Sequence, residues 1–287
     1  MNIHYQSKQN LSNNDIQAAK DLLTHKHQVD RTFSDPYLFN RYNFDRSMPS
    51  FFTAYKDRKM IGLLAVYADD AEAELSIIVD PNYRRKGIAS KLYENFQSET
   101  ASYGIKSLTF KTERIFIDEN PKFLVSLNLL LTDEEVLMAY GTSPYLVEER
   151  FDIKVLIASE EHVEEIARFQ SESFEDDYEL SLRYARETVA NQESPIYVAL
   201  CQGYVVASIS ADQSSDVNYL FGVAVDPNFQ GQGIATYLMK QTINDLIQSN
   251  HKPFHLTVEA DNQTAFNLYK KLGFKEITRI VHLELKK

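Results

Sequence analysis

Alternating stretches of apolar and polar positions divide the chain into helices and strands that follow the same order twice. Apolar runs at residues 75–79 and 221–225 predict strands, and amphipathic segments at residues 89–101 and 235–249 predict the helices that follow them. Upstream, the pattern predicts helices over residues 15–24, 160–169 and 180–191, and strand–turn–strand units over 54–62 and 199–207. Downstream, it predicts strands over residues 107–111 and 255–259. The predicted class is α+β, with a largely antiparallel mixed sheet flanked by helices in each half.

The repetition is also visible in the residues themselves. Val79-Asp-Pro-Asn-Tyr-Arg-Arg-Lys-Gly-Ile-Ala-Ser-Lys-Leu92 and Val225-Asp-Pro-Asn-Phe-Gln-Gly-Gln-Gly-Ile-Ala-Thr-Tyr-Leu238 are identical at eight of fourteen positions, at a constant offset of 146. A period this long indicates a duplicated domain and not a solenoid. The Gly, Ser and Pro within residues 141–145 indicate a linker. We therefore predict one domain over residues 1–143 and a second over residues 149–287.

Length and composition fit a folded protein of this size. The 287 residues are many for one compact domain, and 44% apolar with 25% charged residues is ordinary for a globular protein. The N-terminus has no basic stretch followed by an apolar core, and the longest apolar stretch, residues 123–131, is far shorter than the roughly 20 residues that cross a bilayer. We expect a soluble, cytoplasmic protein without membrane contact, in which the single cysteine, Cys201, is a buried and inert thiol.

Charge argues against one class of partner and suggests another. The net charge of −11 argues against nucleic acid, because a DNA or RNA binder neutralises phosphates with Lys and Arg. Residues 147–287 carry 13 Lys and Arg against 22 Asp and Glu, a net charge of −9. A surplus of this sign attracts a cationic ligand, although solubility alone would explain it equally well.

A short loop containing glycine joins each apolar strand to its helix. The two loops read Arg84-x-x-Gly87-x-Ala89 and Gln230-x-x-Gly233-x-Ala235. A turn at this place directs unpaired backbone N–H groups to one spot at the positive end of a helix dipole, which suits a phosphate or diphosphate. The alternative is a plain strand-to-helix turn, and the recurrence of the whole motif favours the ligand loop.

The pattern Val-x-Pro-x-x-(Arg/Gln)-x-x-Gly-x-(Gly/Ala) resembles the acetyl-CoA motif of the GNAT acetyltransferase superfamily. In that family the loop amides bind the CoA diphosphate, and the preceding strand splays from its neighbour to hold the pantetheine arm. The resemblance implies that Val223 and Val225 line the arm. It implies a diphosphate site formed by Gln230, Gly231, Gln232, Gly233, Ile234 and Ala235. The first half offers a candidate second CoA site, formed by Val79, Arg84, Arg85, Lys86, Gly87, Ile88 and Ala89.

A second family element follows in residues 256–274. Asn262 is a plausible cap for a helix that Gly273 ends, and Tyr269 lies two turns after Asn262 on the same helix face. The resemblance places Asn262 at the cofactor and Tyr269 near the CoA sulfur, where the phenol can protonate the leaving thiolate. The alternative for Tyr269 is a core residue with a solvated hydroxyl.

The first half departs from this element. Aligning Asn120 with Asn262 puts Leu127 opposite Tyr269, and an extra stretch, residues 114–118, separates strand from helix. Leu127 has no proton to give. We therefore predict that the N-terminal domain is degenerate and that the C-terminal domain is catalytic.

The residues that handle the acceptor are less clearly indicated. Residues 218–225 contain no carboxylate, so the base candidates are Asp216, Glu259 and the run Glu175-Asp176-Asp177, each of which has a solvated surface charge as its alternative. The same run lies between the first two helices of the second half, where GNAT enzymes commonly bind the acceptor. Glu175, Asp176 and Asp177 are therefore the candidate substrate residues.

The function that we expect is direct transfer of an acetyl group from acetyl-CoA, without metal, to an amine on a small molecule or peptide, cationic if the acidic surplus acts in binding. Transfer through Cys201 is not expected, because it lies in a predicted strand away from the motif. Two alternatives stay open: a non-catalytic CoA sensor or scaffold, and a transferase that uses another acyl-CoA donor. The sequence specifies neither the acceptor nor the oligomeric state.

Overall fold

The computed structural model describes residues 2–174, 177–191 and 193–286, which form two compact units. The first unit consists of the chain up to Val136 together with the chain from Ile277 onward. The second unit consists of Leu137–Glu276. Helices flank a mixed sheet in both units, so the predicted α+β class is confirmed. No helix of the described residues is long and apolar enough to cross a membrane.

The first unit has its sheet in the order β1-β2-β3-β4-β5-β12-β6. Its strands are β1 (His4–Lys8), β2 (Phe51–Lys56), β3 (Lys59–Tyr67), β4 (Glu72–Val79), β5 (Ser107–Glu113), the first part of β6 (Leu129–Tyr140) and most of β12 (Lys275–Leu285). Its helices are α1 (Asn13–Asp30), α2 (Ile88–Thr100), α3 (Arg114–Glu119) and α4 (Phe123–Ser126). β4 and β5 are parallel, whereas β1 with β2, β2 with β3, β3 with β4 and β5 with β12 are antiparallel.

The second unit repeats the arrangement in the order β6-β11-β10-β9-β8-β7. Its strands are the remainder of β6, β7 (Ile153–Ile157), β8 (Ile196–Cys201), β9 (Tyr204–Asp212), β10 (Asn218–Val225) and β11 (Phe254–Glu259). Its helices are α5 (Val163–Phe174), α6 (Tyr178–Val189), α7 (Ile234–Asn250) and α8 (Gln263–Lys271). β10 and β11 are parallel, and β7, β8, β9 and β10 are antiparallel neighbours.

Helices cover both faces of the sheet in the first unit, which explains its continuous apolar strands. Successive side chains of a strand point to opposite faces. Phe51 and Leu63 accordingly pack in the cluster with α1, and Phe52 and Leu64 pack in the cluster with α2. Gly62 sits under α2, because a Cβ there would lie 2.8 Å from Cγ2 of Ile88.

The compact units differ from the two sequence copies at their ends. Residues from Ile277 onward belong to the first unit, where Ile280 pairs with Glu113 and Leu283 pairs with Phe110. Val281 and Leu283 are buried there. The boundaries at residues 143 and 149 stay a prediction for the duplicated copies, while β12 packs with the first copy.

A buried carboxylate anchors the long connection between α1 and β2 in the first unit. Glu113, 2% exposed, accepts hydrogen bonds from the backbone N–H groups of Phe33 at 2.9 Å and Ser34 at 3.0 Å. Lys26 Nζ lies 3.4 Å from its Oε1. The residue at the same place in the second copy, Glu259, is exposed. The two copies therefore use one position for different purposes.

We predict that Glu113→Ala lowers the free energy of unfolding by about 2–4 kcal/mol, because two amide groups and an ammonium group would lose a buried partner. Glu259→Ala is the matched control, and its exposed position predicts a change within about 0.5 kcal/mol. Urea denaturation of both variants measures the difference. Equal stability of the two variants would contradict a structural role for Glu113.

Candidate functional site

The loops between β4 and α2 and between β10 and α7 have the same backbone conformation. Gly87 has φ 76° and ψ 6°, and Gly233 has φ 74° and ψ 9°. Arg84 has φ −63° and ψ 161°, and Gln230 has φ −66° and ψ 159°. Both glycines lie in the left-handed region that side chains disfavour, which explains why glycine recurs at this position.

Side chains fix each loop through equivalent bonds. Gln230 Nε2 donates to the carbonyl of Val225 at 3.1 Å, and Gln232 Nε2 donates to the carbonyl of Asn228 at 3.4 Å. In the first unit, the corresponding bonds run from Arg84 Nε to Val79 at 3.3 Å and from Lys86 Nζ to Asn82 at 3.0 Å. Different residue types therefore perform the same local task in the two copies.

The backbone of the second loop is open to a ligand. Gly231, Gln232 and Gly233 are exposed, and a Cβ on Gly231 would meet no atom within 4 Å. Ile234 is buried beneath them and Ala235 is half-buried, so α7 begins directly at this spot. Among the described residues, no acceptor takes the N–H groups of Gly231 and Gly233. An exposed helix start with free N–H groups fits a diphosphate.

In the first loop, one of the cationic side chains already has a partner within the protein. The guanidinium of Arg84 pairs with both carboxylate oxygens of Asp30, at 2.8 Å for Nη1 and Oδ1. Arg85 is exposed with φ 60°, and Gly87 faces open space. Ile88 is buried, and Ala89 is exposed. Of the predicted phosphate-binding cations, Arg84 therefore already has a carboxylate partner.

The strand before the loop separates from its parallel neighbour in both units. In the described part of the second unit, β10 pairs with β11 at Asn218 and Tyr219 and then leaves it. Val223 and Val225 lie in the separated, half-buried part. In the first unit, the pairs end at Leu75, four residues before Val79. Each separation leaves one strand edge without a sheet partner.

A β-bulge distinguishes β10 from β4. The register of β10 with β9 shifts between Phe221 and Ala224, and Gly222 within this stretch has φ 60°. β4 pairs regularly with β3, and Ser76 holds the place of Gly222. A bulge turns backbone groups out of the ladder and is common beside active sites. Among the described residues, β10 therefore has a bulge beside its loop that β4 lacks.

Tyr269 lies on α8 with its ring 6% exposed and next to Phe274, at a centroid distance of 6.1 Å. Burial raises the pKa of Tyr269 to about 12, because it disfavours the charged phenolate. Its hydroxyl finds no partner among the described residues and is not one of their fully buried unpaired atoms. Tyr269 therefore keeps its proton at neutral pH and has an unused hydroxyl donor among the described residues.

The predicted caps of α8 are also present as geometry. Asn262 Oδ1 accepts from the N–H of Ala265 at 3.0 Å, and Gly273 follows the helix with φ 89°. Asn262 is exposed, and its side chain is used by the cap. In the first unit, the corresponding helix is the four-residue α4, and Leu127 at its end is 50% exposed.

Comparison with known proteins identifies the family. The sequence profile described as Acetyltransferase (GNAT) family matches residues 16–115 and 160–274. The chain belongs to the GNAT acetyltransferase family. The predicted tandem arrangement is thereby confirmed, and the protein is an acyltransferase enzyme.

Similar proteins include enzymes with different acceptors. The [ribosomal protein bS18]-alanine N-acetyltransferase of Escherichia coli K12 is 33% identical over 98 residues, which is 33% of this chain and 66% of that protein. The N-acetylaspartate synthetase of Danio rerio is 34% identical over 86 residues, 29% of this chain and 30% of that protein. These matches thus span two thirds or less of the relatives' lengths.

Solved structures match over the whole chain. A GCN5-related N-acetyltransferase from Sphaerobacter thermophilus has a TM-score of 0.74 at 14% identity and covers 99% of this chain and 96% of its own. A tandem GNAT protein from the clavulanic acid biosynthesis pathway has a TM-score of 0.72 at 12% identity, covering 100% and 99%. Identities this low establish the GNAT fold in tandem and no more.

Of the predicted acceptor residues of this GNAT protein, Asp177 lies within the described residues. Asp177 caps α6, with Oδ1 accepting from the N–H groups of Glu179 at 2.9 Å and Leu180 at 3.1 Å. Glu175 and Asp176 lie outside the described residues. Asp216 is exposed in the loop between β9 and β10. Of the described acidic candidates, Asp177 therefore serves as a helix cap and Asp216 is a loop residue.

Polar residues lie on one face of the separated strands, and of these the sequence singled out only Glu259. Tyr219 Oη is 2.8 Å from Thr257 Oγ1, so the alternate positions His255 and Glu259 of β11 share this face. Near the bulge, Gln170 Nε2 donates to Ser208 Oγ at 2.8 Å. A single sequence could not predict these contacts, because the two partners of each hydrogen bond are 38 residues apart along the chain. The described residues contain no group of three His, Cys, Asp or Glu side chains arranged for a metal.

The bulge itself generates a prediction. A Cβ on Gly222 would lie 3.7 Å from Ser210 Oγ, which is an ordinary contact. The strain in Gly222→Ser would therefore come from the positive φ, and it would lower the free energy of unfolding by about 1–2 kcal/mol. We expect that loss of stability together with a lower rate of acyl transfer, because relief of the strain would flatten the bulge. Gly203→Ser, with φ 89° in open space, is the control that carries the strain alone. If Gly222→Ser leaves the rate of acyl transfer unchanged, the bulge has no role in the reaction.

Proposed function

We propose that the chain transfers an acetyl group from acetyl-CoA directly to an amine, and that the second unit carries the chemistry. The observation that supports this most strongly is the combination, within that unit, of an open glycine loop, a separated strand with a bulge, and Tyr269. The first unit keeps the loop conformation, but among its described residues β4 is regular and the equivalent of α8 is a single turn.

Binding would use the backbone more than side chains. The N–H groups of residues 231–235 would hold the diphosphate at the start of α7. The free edge of β10 at Val223 and Val225 would pair with the amide groups of the pantetheine arm, as an added strand would. Acetyl-CoA would supply the acetyl group as a thioester. Backbone groups of the bulge that β9 does not use could donate to the thioester carbonyl oxygen, where negative charge develops during attack.

Tyr269 would act on the leaving sulfur. An ordinary thiol has a pKa of about 8.5, well below the pKa of about 12 of the buried Tyr269. Complete proton transfer from this phenol to a thiolate is therefore uphill. Its contribution would be a hydrogen bond that strengthens as charge develops on sulfur, while Tyr269 keeps its proton and the departing thiolate takes one from water.

The amine must be neutral before it attacks the thioester. His255 and Glu259 lie on the same strand face as Tyr219 and Thr257, and either side chain could take the proton of an ammonium group. A covalent route through Cys201 is not part of this proposal, since that residue is half-buried at the end of β8. Direct transfer needs no enzyme-bound acyl group.

The proposed acceptor is an amine of a small molecule or peptide. The relatives' names specify alanine of a ribosomal protein and aspartate, so amines in different settings serve as acceptors in similar proteins. A cytoplasmic site of action is supported by the lone Cys201, which allows no internal disulfide. Another acyl donor, or ligand binding without turnover, would appear as a distinct outcome of the tests below.

The two glycine loops provide a matched test. Gly233→Glu and Gly87→Glu place the same carboxylate at the same backbone conformation in the two units, so their strain is similar. We expect Gly233→Glu to abolish acetyl-CoA-dependent thiol release and Gly87→Glu to preserve it. Calorimetry with acetyl-CoA and thermal melting separate lost binding from lost folding. Turnover that survives in Gly233→Glu and disappears in Gly87→Glu would assign the chemistry to the first unit.

Tyr269→Phe tests the proton donor. The substitution keeps the buried ring and removes the hydroxyl, so we expect kcat to fall about 10²-fold, with acetyl-CoA affinity unchanged. Tyr204→Phe, a change on an exposed side chain of the same unit, is the control. Full activity of Tyr269→Phe would mean that this tyrosine only packs in the core. Acetyl-CoA binding without thiol release in the wild type would indicate a sensor instead of an enzyme.

A further inference from the structure

The second glycine loop contains no cation, unlike the first loop with Arg84, Arg85 and Lys86. A cation reaches it from elsewhere in the second unit. Arg150, shortly before β7, donates from Nη1 to the carbonyl oxygen of Gln232 at 2.8 Å. Nη1 also lies 3.9 Å from the position that a Cβ on Gly233 would occupy. The guanidinium therefore sits at the open side of the loop.

The orientation of the guanidinium is fixed by an exposed carboxylate. Arg150 Nε and Nη2 donate to Asp152 at 3.1 Å and 2.6 Å. The carbon Cζ lies 5.9 Å from the centre of the Tyr237 ring, on the first turn of α7. These contacts hold the side chain from two sides, so little rotamer freedom remains to be lost when a ligand binds.

Arg150 keeps donors for a ligand after these bonds. A guanidinium has five N–H groups in a planar fork. One on Nε, one on Nη1 and one on Nη2 are used among the described residues, which leaves one on each terminal nitrogen. The Arg150 side chain is 25% exposed, and with Tyr237 it lines a groove of about 820 Å³. Two adjacent donors of a guanidinium match the oxygens of a phosphate group.

We propose that Arg150 is the cation that binds the acyl-CoA diphosphate in the second unit, with Asp152 and Tyr237 as its positioning residues. The inference rests on the proposed function, because it assumes that the loop at Gly231 and Gly233 holds that diphosphate. In the first copy, the cations Arg84, Arg85 and Lys86 lie within the loop itself. The two copies thus present cations to the loop from different parts of the chain.

The alternative is that Arg150 supports only the loop backbone, through Gln232. The two roles differ in their dependence on the ligand's phosphates. A phosphate-binding cation contributes to the affinity for acetyl-CoA and not to the affinity for acetyl-pantetheine, which lacks the diphosphate. A purely structural role would give no such difference between the two ligands.

The test is calorimetry of the full chain with both ligands, for the wild type, Arg150→Gln, Arg150→Lys and Asp152→Asn. We expect Arg150→Gln to weaken acetyl-CoA about tenfold or more, the range of one charge-assisted hydrogen bond, and to leave acetyl-pantetheine unchanged. Arg150→Lys should recover part of the loss. Asp152→Asn should weaken acetyl-CoA less than Arg150→Gln does and leave acetyl-pantetheine unchanged, because the guanidinium stays but loses the carboxylate that orients it.

Unchanged acetyl-CoA affinity in Arg150→Gln, or an equal loss for both ligands, would overturn the proposal. An Asp152→Asn variant that binds acetyl-CoA as tightly as the wild type would overturn the positioning role of Asp152. A wild-type chain that does not bind acetyl-CoA would instead refute the proposed function. The two failures are thereby distinguishable.

Discussion

Unpaired backbone groups on β10 and in the loop after it are the constraint on which the rest of the second unit depends. Backbone N–H and C=O groups normally need partners, and a site that presents them to a ligand must hold them in place by other means. Side chains hold this backbone in place, namely those of Asp226, Gln230 and Gln232. Their hydrogen bonds do not use the N–H groups of Gly231 and Gly233. The loop is therefore ordered before any ligand arrives, which reduces the entropy lost on binding.

The two copies show how one scaffold can keep its shape while its polar groups change roles. The loop dihedral angles agree within a few degrees although Arg84 and Gln230 differ in charge. In the first unit, Arg84 pairs with Asp30, and Glu113 binds the backbone of Phe33. A charged group with internal partners stabilises the fold and has less capacity left for a ligand. In the second unit, Glu259 at the place of Glu113 remains exposed.

Local features could be predicted from the sequence, and long-range ones could not. The glycine loops and the Asn262 cap follow from residues within a few positions of one another, and the structure has both. Three other features join residues about 80 or more positions apart. They are the membership of β12 in the first unit, the hydrogen bond from Phe33 to Glu113, and the contact of Arg150 with Gln232. The bulge at Gly222 could not be predicted, because a glycine in an apolar strand has several explanations.

The same distance argument limits what net charge says about the acceptor. At physiological ionic strength exposed charges are screened beyond roughly 8 Å, so a surplus of −9 over residues 147–287 does not act as a whole on any one ligand. The diphosphate would experience Arg150 and the start of α7, both next to the loop. The acceptor would experience the face of β11, with His255 and Glu259. Of the acidic run expected to attract a cation, Asp177 already accepts two backbone hydrogen bonds as a helix cap. On this proposal, the choice of acceptor would depend on a few side chains beside the separated strands, and the acidity of the whole unit would be a weak guide to it.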